Sequence, residues 1–265
     1  MPTWLYEVAP HIAALVMLVF IEFIALGGLL LVRRFVLPRL LYHEGTHEAV
    51  SGTVQAIGVF YGITVGLIAV AVWNTNENAA QLVSKEAAAI GSLYRDVSGY
   101  PSPVREELRE KLREYTEFVI NEAWPAQKRG EGQSITAGVK LLNDFQATLL
   151  SSEPKSTSQA ALHSETLRTY NNLIEYRRLR IDAVGGGLST VMWAVIWVGA
   201  IISIGVAYFY KIPDLKLHAI LVALMAAFLA MVLFMIVIND KPFYGYGSIS
   251  SDPYKLILEN QKEVK

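Results

Sequence analysis

Four long apolar stretches alternate with polar regions along the chain. They cover residues 12–32, 53–73, 188–210 and 217–238 and are 21, 21, 23 and 22 residues long. About 20 apolar residues in a helix cross the roughly 30 Å hydrocarbon core of a bilayer. Of the Asp, Glu, Lys and Arg residues, only Glu22 lies inside these stretches. The pattern therefore predicts four transmembrane helices.

The polar region between the second and third stretches has a helical pattern. Its first part repeats apolar residues at intervals of three and four, which indicates an amphipathic helix that continues span two. The repeating residues are Ala79, Leu82, Val83, Ala87, Ile90, Leu93, Tyr94 and Val97. Ser102 and Pro103 predict the start of a second helix, which we expect to end near Trp124. Two more helices are expected over 135–150 and 157–184.

These elements predict an all-α polytopic membrane protein with four transmembrane helices and an inserted soluble helical stalk domain. We divide the chain into residues 1–73 (spans one and two), 74–187 (the soluble domain), 188–240 (spans three and four) and 241–265 (a C-terminal tail). The last soluble helix is expected to run into span three across Gly185–Gly187. The apolar stripes of such a stalk need partners, which favours a homo-oligomer.

Composition and charge narrow the function and the location. Hydrophobic residues make up 53% of the chain, and the formal net charge is −1. Without a basic excess to neutralise a phosphate backbone, a nucleic-acid partner is not expected. The chain has no cysteine, so no disulfide or thiolate metal site is expected. We expect no removable signal peptide and an integral protein of a bacterial inner or plasma membrane, with lipids as partners.

The distribution of basic residues gives two opposing indications of orientation. Arg33, Arg34 and Arg39 follow span one directly, which places the short loops in the cytoplasm and the soluble domain outside. Basic residues near the membrane ends on the opposite face, Lys241 among them, favour the reverse. We favour the extracytoplasmic side for the soluble domain, because the first span usually dominates.

His43, Glu44 and His47 match the H-E-x-x-H pattern of zinc hydrolases. In that pattern two imidazoles on one helical face hold the metal beside a general-base glutamate. No third ligand follows nearby, and Gly45 lowers helix propensity. A polar cap for span two is the alternative, and we expect no stoichiometric zinc and no other cofactor.

Glu22 lies in the middle of span one, where a lone carboxyl is unfavourable unless it is protonated, paired or facing water. Two interpretations stay open. The side chain hydrogen bonds to a neighbouring helix, for example to Thr64 or Ser203. Alternatively, it faces an ion pathway, where a ring of carboxylates from several copies would favour cations.

Span two carries a glycine stripe and a few uncharged polar residues. A repeated G-x-x-x-G pattern allows another helix to approach closely or leaves room beside a pore. The stripe and polar groups make span two the candidate wall of a conduit. The candidate residues are Gln55, Gly58, Tyr61, Gly62, Thr64 and Gly66.

Arg177, Arg178 and Arg180 form a basic cluster shortly before span three. Such a cluster either contacts phosphate headgroups or lines a vestibule that concentrates anions.

Several short motifs, taken in order, resemble those of the bestrophin-like membrane family over about residues 50 to 250. They are Val54–Gly62, Ala71–Trp73, Glu86–Ala89, Leu93–Tyr94, Arg109–Tyr115, Glu122–Pro125, Arg177–Arg180 and Asp240–Gly245. The resemblance implies a four-span helical protein with a central soluble region, related by name to bestrophin anion channels. Bestrophins follow their Pro-Phe-Gly with an acidic calcium-binding run, whereas this chain has only Asp252 there, so no calcium clasp is expected.

Three function classes remain from the sequence. We expect an oligomeric ion channel of unknown selectivity, with ions as partners, and no enzyme. A non-conducting membrane scaffold or regulatory protein is the alternative, and a zinc membrane protease is a distant third.

Overall fold

The computed structural model describes residues 4–40, 45–130 and 135–263, and the regular elements in these ranges are all helical. The α-helices are α1 Trp4–Glu7, α2 Pro10–Leu31, α3 Thr46–Val97, α4 Val104–Phe118, α5 Trp124–Lys128, α6 Ile135–Ser151, α7 Thr157–Val184, α8 Thr190–Ala207, α9 Leu215–Asp240 and α10 Asp252–Glu263. A π-helical turn, Val32–Val36, and a 3₁₀ turn, Leu37–Arg39, follow α2, and a second π-helical turn, Val119–Ala123, joins α4 to α5. The predicted all-α fold is confirmed.

Within the described residues, four helices are long and apolar enough to cross a membrane: α2 with the turns after it, α3, α8 and α9. They coincide with the four apolar stretches of the sequence, so the predicted four-span membrane protein is confirmed.

The chain forms two compact units. The membrane unit comprises Met1–Asn74 and Gly187–Asp240, and the soluble unit comprises Thr75–Gly186 and Lys241–Lys265. The helix α3 contributes to both units. The C-terminal residues after Asp240 thus pack with the inserted helices, and they contain α10, which the sequence reasoning did not predict.

In the membrane unit, α2 and α9 pack along stripes of residues that repeat every three to four positions. The buried stripe of α2 consists of Ala13, Met17, Ile21, Ala25 and Leu29. Alanines recur on both helices, and small side chains let membrane helices approach closely. Large apolar side chains cover the outward faces, as expected for helices in lipid.

The core of the soluble unit is built from the second half of α3 together with α4, α6, α7 and α10. The stripe predicted on α3 is confirmed: most of its members are fully buried, and Leu82 and Tyr94 are half-buried. Phe145 of α6 stacks on Tyr170 of α7, with ring centroids 5.6 Å apart. These contacts make the insert a packed helical domain.

One predicted helix continuation is wrong. The helix α7 ends at Val184, and α8 starts only at Thr190, so the last soluble helix does not run into span three. Gly187 adopts a φ of +149°, which an L side chain rarely adopts. The Leu188 N–H donates to Asp240 Oδ1 at 2.6 Å, a bond that lies outside the helical ladder. Because glycine has a low helix propensity, ending the helix at these glycines costs little free energy, and the bond between Leu188 and Asp240 stabilises the break.

The start and end of the second soluble helix also differ from the prediction. The helix α4 begins at Val104, with Pro103 as its N-cap residue, one position later than expected. The helical path continues past Trp124 to Lys128. Pro125 has no N–H to donate to the preceding turn, and the π-helical turn Val119–Ala123, which breaks the regular α-helical bonding, lies just before it.

Candidate functional site

Within the membrane unit, one face of the first part of α3 packs against neighbouring helices, and the described residues leave its other faces open. Tyr61, Val65, Ala69 and Val72 are buried. The Tyr61 hydroxyl donates to the Ile196 carbonyl of α8 at 2.9 Å. The described residues of one chain therefore cover only the Tyr61 side of this part of the helix.

The glycine stripe lies on an open face. A Cβ atom built at Gly58, Gly62 or Gly66 meets no atom of the described residues within 4 Å. Gln55 is also exposed, and it lies on the same side of the helix as Gly62 and Gly66 by helical geometry. This open glycine face, defined by Gln55, Gly58, Gly62 and Gly66, accommodates a closely approaching helix or a water-filled space.

The other two residues predicted for span two lie elsewhere. Thr64 is about 200° around the helix from Gly62, and its hydroxyl donates to the Phe60 carbonyl at 2.8 Å. Tyr61 is buried against α8. The six candidate residues therefore do not share one face, and only the open glycine face is continuous.

Glu22 of α2 is half-buried, and its Oε2 is shielded without a hydrogen-bond partner among the described residues. Thr64 bonds within its own helix, and the Ser203 hydroxyl also has no partner in that part of the chain. The two intrachain partners considered for Glu22 are thus not used. A shielded carboxyl oxygen at membrane depth needs a proton, water or a group from outside the chain.

The H-E-x-x-H motif falls only partly on described residues, because His43 and Glu44 lie outside them. His47 is exposed in the first turn of α3. This helix begins directly after Gly45, whose φ is +91°. The described residues contain no group of three His, Asp or Glu that could hold a metal ion.

The structure contradicts the role predicted for the basic cluster of α7 at two of its three arginines. Arg180 is 1% exposed and Arg177 is 9% exposed, so neither side chain is free to contact headgroups or line a vestibule. Both lie on the buried face of α7, which repeats every three to four residues. Only Arg178 is exposed, and the predicted contact stays a prediction for that residue.

Arg180 belongs to a buried ion-pair cluster inside the soluble unit. Its Nε donates to Glu86 Oε2 at 2.6 Å, and its Nη1 donates to Gln127 Oε1 at 2.9 Å. The Tyr115 hydroxyl donates to Glu86 Oε1 at 2.7 Å. The guanidinium carbon lies 5.6 Å from the centre of the Trp124 ring. Because the Glu86 side chain is fully buried, these bonds replace water around both charges.

The same cluster raises the pKa values of two tyrosines. Burial, followed by the charge of Glu86, raises the pKa of Tyr115 well above its ordinary value. Burial and Glu86 raise the pKa of Tyr254 of α10 in the same way. The rings of Trp124 and Tyr254 pack edge-on, with their centroids 5.6 Å apart. The cluster thereby joins α3, α4, α5, α7 and α10 around one carboxylate.

Asp240 holds a second polar junction, in the membrane unit. It is 4% exposed, and besides the Leu188 N–H it accepts a bond from the Tyr6 hydroxyl at 3.3 Å. The carboxylate therefore links the end of span four to the start of span three and to α1.

Sequence reasoning missed both polar junctions as structural sites. The signal for Glu86 was present, since this charged residue falls on the apolar stripe of α3 between Val83 and Ile90. Buried charges are almost always paired, so the pattern required a cation from another helix. It did not identify Arg180 as that cation, because residue spacing does not specify which helices pack together.

The comparisons with known proteins agree with this architecture. A family model described as the Bestrophin-like domain matches residues 19–254. No curated protein matches the chain. A crystal structure of a membrane protein variant superposes with a TM-score of 0.70 at 7% identity, covering 94% of this chain and 97% of that chain.

Two variants of a bacterial Bestrophin homolog from Klebsiella pneumoniae are also similar. One gives a TM-score of 0.66 at 8% identity, covering 94% of this chain and 98% of that chain. The other gives 0.67 at 9% identity, covering 96% and 98%. These similarities show a shared fold. Since the family model spans most of the sequence, the chain belongs to the Bestrophin-like family.

Proposed function

We propose that the chain assembles into a symmetric homo-oligomer that conducts ions, with α3 along the conduit. The open glycine face carries this proposal. It combines a polar side chain, Gln55, with three glycines whose surroundings are empty in the single chain. Family membership supports the same function by analogy.

The polarity of the open glycine face favours water or protein over lipid. Glycine leaves the helix backbone exposed, and a carboxamide in hydrocarbon loses its hydrogen bonds. On the remaining surface of α3, large apolar side chains such as Phe60, which is 73% exposed, suit lipid or a neighbouring copy. A helix that lines a conduit is expected to carry both kinds of surface: a face of small and polar residues toward the conduit, and an apolar face toward lipid or a neighbouring copy.

The charged residue in the part of α3 inside the membrane unit is Glu48, which lies in the first turn, so a selectivity charge at the middle of the membrane would come from another helix. We assign this role to Glu22 of α2, whose Oε2 has no partner in the described part of the chain. Repeated around an axis, ionised Glu22 carboxylates attract cations and repel anions.

We expect Glu22→Gln to move the reversal potential toward zero in a salt gradient, because the amide keeps the shape and removes the charge. Purified protein in planar bilayers, recorded under asymmetric KCl, provides the measurement. Thr64→Val is the matched control, since Thr64 bonds within its own helix, and it should leave the reversal potential unchanged.

An unchanged reversal potential in Glu22→Gln would show that Glu22 does not influence which ions pass, and the proposal of ion conduction would stand without this residue. Lower stability of Glu22→Leu, with conduction unaltered, would then identify Glu22 as a protonated packing residue. A complete lack of current in the wild-type oligomer favours the scaffold function.

A further inference from the structure

An apolar groove of about 350 Å³ lies between α2 and α8 in the membrane unit. Both helices pack against α9, but they contact each other at few points, so a gap remains. Leu229 and Leu233 of α9 form its floor. Ile24 of α2 and Ile201 of α8, both about half exposed or more, stand on its walls. An apolar groove of this kind does not hold ordered water.

The walls meet at one end of the groove. A Cβ atom at Gly28 of α2 would lie 2.6 Å from the hydroxyl of Tyr208, so the tyrosine ring rests directly on the glycine. Beyond this point Arg33 donates to the carbonyls of Ile212 at 2.9 Å and Pro213 at 2.6 Å. These bonds hold the segment after α2 against the segment after α8.

The two joined segments are strongly basic. Residues 33–40 and 211–217 contain five cations, and Asp214 is the only acid among them, for a formal charge of +4. Arg34, Lys211 and Lys216 are exposed. We call this set of cations the basic rim, and it comprises Arg33, Arg34, Arg39, Lys211 and Lys216.

We propose that the membrane unit binds one anionic phospholipid, with an acyl chain in the groove and the phosphate at the basic rim. A phospholipid has both required parts, an apolar chain next to a negative headgroup. Basic pockets at the ends of membrane helices attract anionic headgroups, whereas a zwitterionic headgroup gains less there. This lipid site does not depend on conduction.

Native mass spectrometry of the whole protein tests the site, with phosphatidylglycerol or phosphatidylcholine added in mild detergent. We expect about one phosphatidylglycerol per chain and at least ~10-fold less phosphatidylcholine, a factor set by the headgroup charge. Gly205→Leu should reduce bound phosphatidylglycerol about 10-fold, because Gly205 lines the groove and has empty space at its Cβ. Gly27→Leu is the matched control, since Gly27 has the same empty space but does not line the groove.

A second variant avoids any change in helix packing. Arg34→Gln combined with Lys211→Gln should lower phosphatidylglycerol binding toward the level of phosphatidylcholine, because it removes two of the five cations of the basic rim. Equal binding of both lipids by the wild type, or full retention of phosphatidylglycerol by Gly205→Leu, overturns the proposal. The proposal is also overturned if the wild type binds no lipid and Gly205→Leu changes only the oligomer size, because the groove is then covered by another copy.

Discussion

Glu86→Ala is expected to destabilise the soluble unit by about 3–5 kcal/mol, because it leaves the Arg180 guanidinium buried without its counter-ion. Arg180 is 1% exposed, and water cannot replace the lost carboxylate without opening the core. Tyr115 loses its acceptor at the same time. The change therefore affects α3, α4 and α7 together.

Hydrogen exchange of the full-length protein in detergent measures this effect. The free energy of opening, read from peptides of α7, should fall by the stated amount in Glu86→Ala. Arg113→Ala is the matched control: Arg113 pairs with Glu117 at 2.9 Å on the surface, and exposed pairs contribute about 0.2–1 kcal/mol.

A double replacement separates the pair from its surroundings. Glu86→Leu with Arg180→Met removes both charges, and buried ion pairs replaced by apolar residues are often neutral or stabilising. We therefore expect the double variant to be more stable than Glu86→Ala. Equal losses in Glu86→Ala and Arg113→Ala would contradict a structural role for the buried pair.

Gly62→Leu is expected to disrupt assembly while each chain stays folded. The added side chain enters the space beside Gly62, where no atom of the described residues lies within 4 Å of the Cβ position. Where copies of α3 converge around the conduit, the leucines crowd the axis and hold the helices apart. Size-exclusion chromatography with light scattering in mild detergent should show a shift from oligomer toward monomer.

Gly199→Ala provides the contrasting variant on α8. Its Cβ would clash with ring atoms of Tyr61, so the clash occurs inside one chain. Overpacking of this kind costs about 1–3 kcal/mol, and we expect a lower melting temperature with the oligomer retained at low temperature. A wild-type monomer in both detergent and lipid nanodiscs would contradict assembly through α3.

The sequence predicted the elements better than their connections. The length and apolarity of the spans determine membrane helices almost alone, and the stripe on α3 identified its buried side. The break before α8 depends on a bond between Leu188 and Asp240, which are far apart in the chain. No local pattern encodes such a contact.

The candidate site likewise combines features that the sequence predicts with features that depend on how the helices pack. Gly58, Gly62 and Gly66 lie on one face because helical geometry places them there, and the sequence was sufficient for that. The position of Arg180 in a basic cluster shortly before span three predicts a contact with headgroups or a vestibule. Its burial follows from a partner on another helix, Glu86, which only the packed structure identifies.

Planar bilayer recording of the purified wild-type oligomer tests ion conduction most directly. We predict discrete currents above the protein-free baseline, and we predict that the Gly62→Leu preparation loses them together with the oligomer. An intact wild-type oligomer that carries no current across the tested range of voltage, pH and calcium would contradict the channel function.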